Sequence, residues 1–139
     1  MKGSFVLVLL LAVVALSACH TGTTPETQNA LNAISTAEDT AATTYLETAA
    51  VTASVYVASN GSYGGFSAEV ARGFEPSIQW ADGGTPRVGG VSIRGVTDTG
   101  LVLVTGSESG QPLCLGVAAA TQSKGQVDAQ TPEDCTGGW

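Results

Sequence analysis

Residues 91–118 read VSIRGVTDTGLVLVTGSESGQPLCLGVA, and this stretch decides the fold class. Apolar residues alternate with polar or small ones at both of its ends, and an apolar run fills its middle. Counting one short strand upstream, four β-strands are predicted, at 77–80, 91–96, 101–105 and 112–118. Clusters of turn-forming residues separate them, at 82–86, 97–100 and 107–110. Because connections of four or five residues favour hairpins, we predict an antiparallel meander.

Upstream of the strands, an alanine-rich stretch predicts one long helix. It begins with Thr24 as N-cap and Pro25 at the first helical position, continues to about residue 58, and stops at Asn60-Gly61. Threonines and valines in its second half leave a break near Thr48 open. A short helical turn is also predicted at 67–72. The predicted apolar stripe of the long helix is Leu31, Ile34, Ala41, Tyr45, Ala49, Ala53 and Tyr56.

The long helix is the element available to cover one face of the predicted meander. An antiparallel sheet needs at least one face packed against another layer, since its inward side chains must be removed from water. The sequence therefore predicts the α+β class, with a long N-terminal helix packed on an antiparallel sheet of about four strands.

The first twenty residues have the layout of a signal peptide. Lys2 precedes an apolar run at 5–16, which is shorter than the roughly 20 residues that span a bilayer, and small residues follow it. Leu16-Ser17-Ala18-Cys19 resembles the lipobox of bacterial lipoproteins. This resemblance implies cleavage before Cys19 and attachment of diacylglycerol to its thiol.

Two alternatives to the lipoprotein signal stay open. One is an ordinary secretory signal that happens to end in a cysteine. The other is a prepilin leader cut after Gly3, although Val8 stands where such proteins carry a glutamate. On the lipoprotein interpretation, the predicted organisation is a signal peptide at 1–18, a lipidated tether at 19–24 and a single domain at 25–139.

The net charge and the number of cysteines limit the functional classes to which the chain can belong. Without residues 1–18 the chain keeps 4 basic and 12 acidic residues, a net charge of −8, which argues against nucleic acid and against electrostatic docking on anionic lipid. We therefore expect covalent lipid to provide the membrane attachment. With Cys19 lipidated, Cys114 and Cys135 remain as a predicted disulfide pair, which an oxidising compartment would preserve.

Several features in a fixed order resemble the globular head of type IV pilins and pseudopilins. After the long helix come Asn60-Gly61-Ser62-Tyr63, Gly65-Phe66, and Glu75-Pro76-Ser77-Ile78 leading into Trp80; the strands, two late cysteines and Gly138-Trp139 follow. The resemblance covers roughly residues 27–139. It implies a pilin-head-like roll whose C-terminal segment, 119–136, is pinned by Cys114 and Cys135 and used for adhesion or subunit contacts. The long apolar half-helix of pilins is missing, which puts filament assembly in doubt.

No catalytic, cofactor or metal site is predicted. His20, the single histidine, lies beside the predicted anchor, where it is poorly placed to activate a nucleophile. The carboxylate pairs Glu38-Asp39 and Glu133-Asp134 are interpreted as solvated surface, and calcium binding by the second pair with Asp128 is a minor alternative.

The predicted function is that of a non-enzymatic, extracytoplasmic lipoprotein on the cell membrane or the outer membrane. It would act through contacts with envelope proteins, with a pilus or a secretion apparatus as candidate partners. The alternative is a surface lipoprotein that binds a small ligand or glycan. Tyr63, Phe66, Trp80 and Trp139 would line such a ligand site if they are not core residues.

Overall fold

A computed structural model of the chain describes residues 25–118 and 121–139. Contacts divide the chain into residues 1–33 and 34–139; in the first unit the described residues, 25–33, are helical and exposed. The predicted signal peptide, the tether and the Thr24 N-cap lie outside the described residues, and the domain start at residue 25 stays a prediction. None of the helices in the described ranges combines the length and apolar character needed to cross a membrane.

The long helix, α1, covers Pro25–Asn60 and has 36 residues. It continues through Thr48 without the break that the sequence left open. Several of its threonines donate their hydroxyls to carbonyls one turn earlier, as Thr52 does to Thr48 O at 3.0 Å. The helix ends as predicted: Gly61 takes the left-handed conformation, with φ of 79°, and its N–H donates to Val57 O.

The buried face of α1 differs in part from the predicted stripe. Ala49 and Ala53 are buried as predicted, but Leu31 and Ile34 are about half exposed, with 50% and 54% of their surface accessible. The face is centred on Leu46, which is fully buried. Small residues dominate this face, and the buried set is Ala42, Leu46, Ala49, Ala50, Thr52 and Ala53.

A short helix, α2, covers Ala68–Phe74, close to the predicted 67–72. Ser67 caps its first turn by accepting from Val70 N–H. Asp82 Oδ1 accepts from Ala68 N–H at 2.7 Å, and Arg72 Nη2 donates to Trp80 O at 2.8 Å. These two bonds connect both ends of α2 to the first strand.

Five strands form one mixed sheet in chain order: β1 Gln79–Asp82, β2 Gly90–Arg94, β3 Gly100–Gly106, β4 Pro112–Ala118 and β5 Thr121–Gly125. The predicted α+β class with a sheet of about four strands is broadly compatible with this sheet, and β2, β3 and β4 are antiparallel as predicted. The structure differs in the direction of β1 and in having one more strand. β1 pairs with β2 in parallel, with Trp80 opposite Val91. The additional strand β5 pairs antiparallel with β4.

The parallel pairing of β1 is geometrically compatible with the short connection that follows it. The connection to β2 has seven residues, 83–89, whereas β1 itself is only four residues long, about 13 Å at 3.3 Å per residue. Seven residues therefore suffice to return the chain to the start of β1. Glycines with positive φ at 83, 84 and 89 provide the reversals.

Both faces of the sheet are covered. On β3, Leu101 and Leu103 pack in the core under α1, whereas Val102 and Val104 pack with Ala129 on the opposite face. The second face is covered by residues 126–139, here named the C-terminal strap, which contains a 3₁₀ turn at Pro132–Asp134. The unbroken burial of β3 follows from this two-sided cover.

The strap is attached to β4 by the predicted cysteine pair. Cys114 and Cys135 lie at disulfide distance, with Cα atoms 5.8 Å apart and both residues fully buried. The strap also runs beside β5, where Gly138 N–H donates to Lys124 O at 2.9 Å. Part of the outer edge of the sheet is therefore occupied by the chain itself.

Candidate functional site

The aromatic residues that would line a ligand groove lie mostly in the core. Tyr63, Phe66 and Trp80 are buried, and Phe66 and Trp80 meet edge to face at 6.2 Å between ring centroids. Trp139 is half-buried: its Nε1 donates to Cys114 O at 3.0 Å, and Lys124 Nζ lies 3.9 Å from its ring centroid. The four rings are used in packing and do not form a cleft.

The predicted lipidation site, Cys19, and the neighbouring His20 lie outside the described residues. So does Ala119, the first residue of the segment that the pilin resemblance implies for contacts. From Thr121 onwards that segment is described, and it contains β5 and most of the strap. Lipid attachment and the role of this segment stay predictions.

Two of the three acidic residues of the strap, Asp128 and Asp134, are engaged within the protein, whereas Glu133 is exposed. Asp134 Oδ2 accepts from the backbone N–H groups of Thr131 and Gln130, and these bonds lower the pKa of Asp134 below its ordinary value. Asp128 pairs with Arg94 at 2.5 Å. Within residues 25–118 and 121–139, no three His, Cys, Asp or Glu side chains converge closely enough to hold a metal ion.

An open cleft of about 320 Å³ lies where three loops meet at one end of the sheet. The β1–β2 connection, the β3–β4 turn and the strap each contribute to its wall. We name it the loop cleft; it is lined by Thr85, Pro86, Val88, Gly106, Ser107, Gly110, Gln111, Pro112 and Asp128. Its volume is at the lower end of the range for small-molecule sites.

Buried polar side chains hold the walls of the loop cleft in place. Arg94, with 6% of its side chain accessible, reaches two loops: Nη1 donates to Asp128 Oδ1 and to Ala129 O, and Nη2 donates to Gly84 O. This one guanidinium joins the strap to the β1–β2 connection. Arginine can do this because its fork presents several donors in fixed directions.

Two buried hydroxyls fix the remaining walls. Thr105 Oγ1 donates to Gly90 O at 2.6 Å, while the next residue, Gly106, donates its N–H to Arg87 O at 3.0 Å. Ser107 Oγ lies 2.7 Å from Gln111 O and closes the β3–β4 turn. Three of the five buried polar or charged residues in the described ranges, Arg94, Thr105 and Ser107, therefore support this cleft. Loops held in this way form a rigid wall for a ligand.

A second concave surface, of about 440 Å³, lies between α1 and the edge strand β5. Val51 and Val55 keep 64% and 48% of their surface exposed there, and Lys124 contacts Glu47 at 3.2 Å. We name it the helix groove; it is lined by Glu47, Ala50, Val51, Ser54, Val55, Ala58 and Gln122. Two neighbouring exposed valines make this an apolar surface patch.

Sequence reasoning missed both concave surfaces. In the sequence, Val51 and Val55 indicate only reduced helix propensity, and Arg94 lies within a predicted alternating strand. The available signal for the loop cleft was Arg94, a cation among the apolar residues Val91, Ile93 and Val96. A charge on a buried strand needs hydrogen-bonding partners from neighbouring loops.

No protein-family model, curated protein or solved structure matches this chain.

Proposed function

We propose that this chain is a lipid-anchored protein of the bacterial cell envelope whose pilin-like head is a non-catalytic interaction module. Lipid on Cys19 would hold it on the extracytoplasmic face of the cell membrane or the outer membrane. Its partners would be other envelope proteins, with a pilus or type II secretion-like apparatus as the class that the resemblance indicates.

The observation that supports an interaction module is the difference in exposure between the aromatic side chains and the valines of the helix groove. Tyr63, Phe66 and Trp80 are in the core, while Val51 and Val55 remain exposed in a concave surface. Neighbouring apolar side chains left on a surface are typical of protein contacts. The alternative of a ligand or glycan site around Tyr63, Trp80 and Trp139 has less support, because their rings are engaged in packing.

The anchor and the interaction are tested separately. Intact mass of the chain purified from membranes should show a diacylglyceryl group on an N-terminal Cys19, which a Cys19→Ala variant loses. An unmodified chain that begins at Ser4 or Phe5 would overturn the anchor and favour a prepilin.

For the interaction, a photo-crosslinking amino acid is placed at position 51 in the full chain in native membranes. The matched control carries it at Gln79, which is exposed on β1. We expect discrete adducts with another envelope protein only from position 51, and their loss when Val55 is changed to Asp. Equal labelling from both positions, or none from position 51, would refute an interaction through the helix groove.

A further inference from the structure

We propose that the loop cleft binds a neutral sugar ring, a function that is independent of the helix groove and of the lipid anchor. The lining of the cleft combines apolar with polar side chains. We call the apolar residues Pro86, Val88 and Pro112 the floor and the polar side chains the rim. A sugar ring also has an apolar part and a polar part, because its C–H face is apolar and its hydroxyls point outwards from the edge of the ring.

The polar groups at the rim are available for hydrogen bonding. Thr85 and Gln111 are exposed, and neither side chain makes a hydrogen bond within the described residues. Asp128 uses Oδ1 to accept from Arg94 and keeps 53% of its side chain exposed. The rim therefore presents a hydroxyl, an amide and a carboxylate oxygen, which together can accept from and donate to adjacent sugar hydroxyls.

The charges on the loops that form the cleft balance one another, because Asp128 is paired with Arg94 and the exposed Arg87 and Glu108 have opposite signs. This balance favours an uncharged ligand. Asp128 is already neutralised by Arg94, whose buried guanidinium would repel a second cation brought to the same carboxylate. An anion would instead face the exposed carboxylate oxygen. A sugar hydroxyl is uncharged, so neither Arg94 nor Asp128 repels it. The Asp128 carboxylate remains a strong hydrogen-bond acceptor for that hydroxyl while it is paired with Arg94.

The walls are also fixed before a ligand arrives. Because Arg94, Thr105 and Ser107 tie the three loops together from beneath, a sugar would enter without ordering them first. Prior order of this kind lowers the entropic cost of binding. This lower cost matters for a small polar ligand, because its few contacts provide little binding free energy.

The test is saturation-transfer NMR on the full chain as purified from cells, with glucose and N-acetylglucosamine as probes. We expect saturable transfer to the ring protons of at least one sugar. Gln111→Ala should weaken binding about fivefold, the effect of losing one hydrogen-bonding group. Gln28→Ala removes an exposed glutamine of α1 that lines neither concave surface, and it should leave sugar binding unchanged.

Two further probes separate the rival ligands. n-Butylammonium tests a cation site at Asp128, and a blocked Ala-Pro-Ala peptide tests a protein contact on the apolar floor. The proposal is overturned if neither sugar gives saturable transfer, if transfer is the same in Gln111→Ala, or if butylammonium or the peptide binds in the cleft more tightly than both sugars. Crosslinking from position 51 is unaffected by these outcomes, so failure here is distinguishable from failure of the helix groove.

Discussion

Replacing Arg94 by methionine should destabilise the fold by about 1–4 kcal/mol. Methionine keeps the apolar stem but removes every donor. Ala129 O, in a buried residue, would lose its partner, and an unsatisfied buried acceptor costs about 1–3 kcal/mol. Gly84 O and Asp128 are more accessible, so water can replace the arginine there and we add only about 0–1 kcal/mol for the ion pair.

The assay is equilibrium urea denaturation, followed by circular dichroism and tryptophan fluorescence. Arg87→Met is the matched control: Arg87 is exposed on the β1–β2 connection and only its carbonyl is hydrogen-bonded, so its free energy of unfolding should stay within about 0.5 kcal/mol of the native chain. If Arg94→Met and Arg87→Met are equally stable, Arg94 does not join the strap to the β1–β2 connection as described.

Three further predictions concern the core, the cysteine pair and the strap. Leu46→Ala should cost about 2–5 kcal/mol in urea denaturation because Leu46 is fully buried, whereas Val51→Ala on the exposed side of α1 should be nearly neutral; equal losses would contradict the assigned helix face. The double variant Cys114→Ala/Cys135→Ala should lose about 3 kcal/mol, the value for closing a loop of this length, and a smaller loss than about 1 kcal/mol would mean that the pair is not bonded in the purified chain. Because the pKa of Asp134 is lowered in the folded chain, its carboxylate stabilises the fold above the unfolded-state pKa of 3.8, and this stabilisation is lost as the pH falls through the folded-state pKa. Asp134→Asn should therefore weaken the dependence of the unfolding free energy on acid pH. An unchanged pH profile would contradict this role.

The sequence predicted the parts of the fold that local chemistry determines. The stop of α1 at Asn60-Gly61 and the strands β3 and β4 agree with the prediction, because glycine conformation and apolar runs act within a few residues. The direction of β1 was not predictable in this way. Its turn-like connection is compatible with a hairpin, and only packing of α2 against β1 and the return of the chain beside it distinguish the two arrangements.

Strand β5 was missed for a different reason. Thr121–Gly125 contains no large apolar residue, so neither alternation nor an apolar run indicates a strand. Its pairing with β4 provides the backbone hydrogen bonds that the side chains do not predict. The strap was likewise not identified as a cover, although the continuous apolar residues of β3 implied that both faces of the sheet were buried.

The candidate sites also differ in whether the sequence could predict them. The cysteine pair was predicted because two cysteines remain once Cys19 is assigned to lipid in an exported chain, and the structure places these two at disulfide distance. The loop cleft was not predictable, since Thr85, Gln111 and Asp128 come from three separate loops. Each is an ordinary surface residue by itself, and only the tertiary fold brings them together.

The order of the sheet, with each strand beside its neighbour in sequence, has a consequence for folding kinetics. Every strand pair closes a short segment of chain, so the entropy lost at each step of sheet formation is small. The docking of α1 joins residues far apart, as in the contact between Glu47 and Lys124, and should come later. We therefore expect sheet assembly to proceed between neighbouring strands and the burial of Leu46 to accompany the final, slower step.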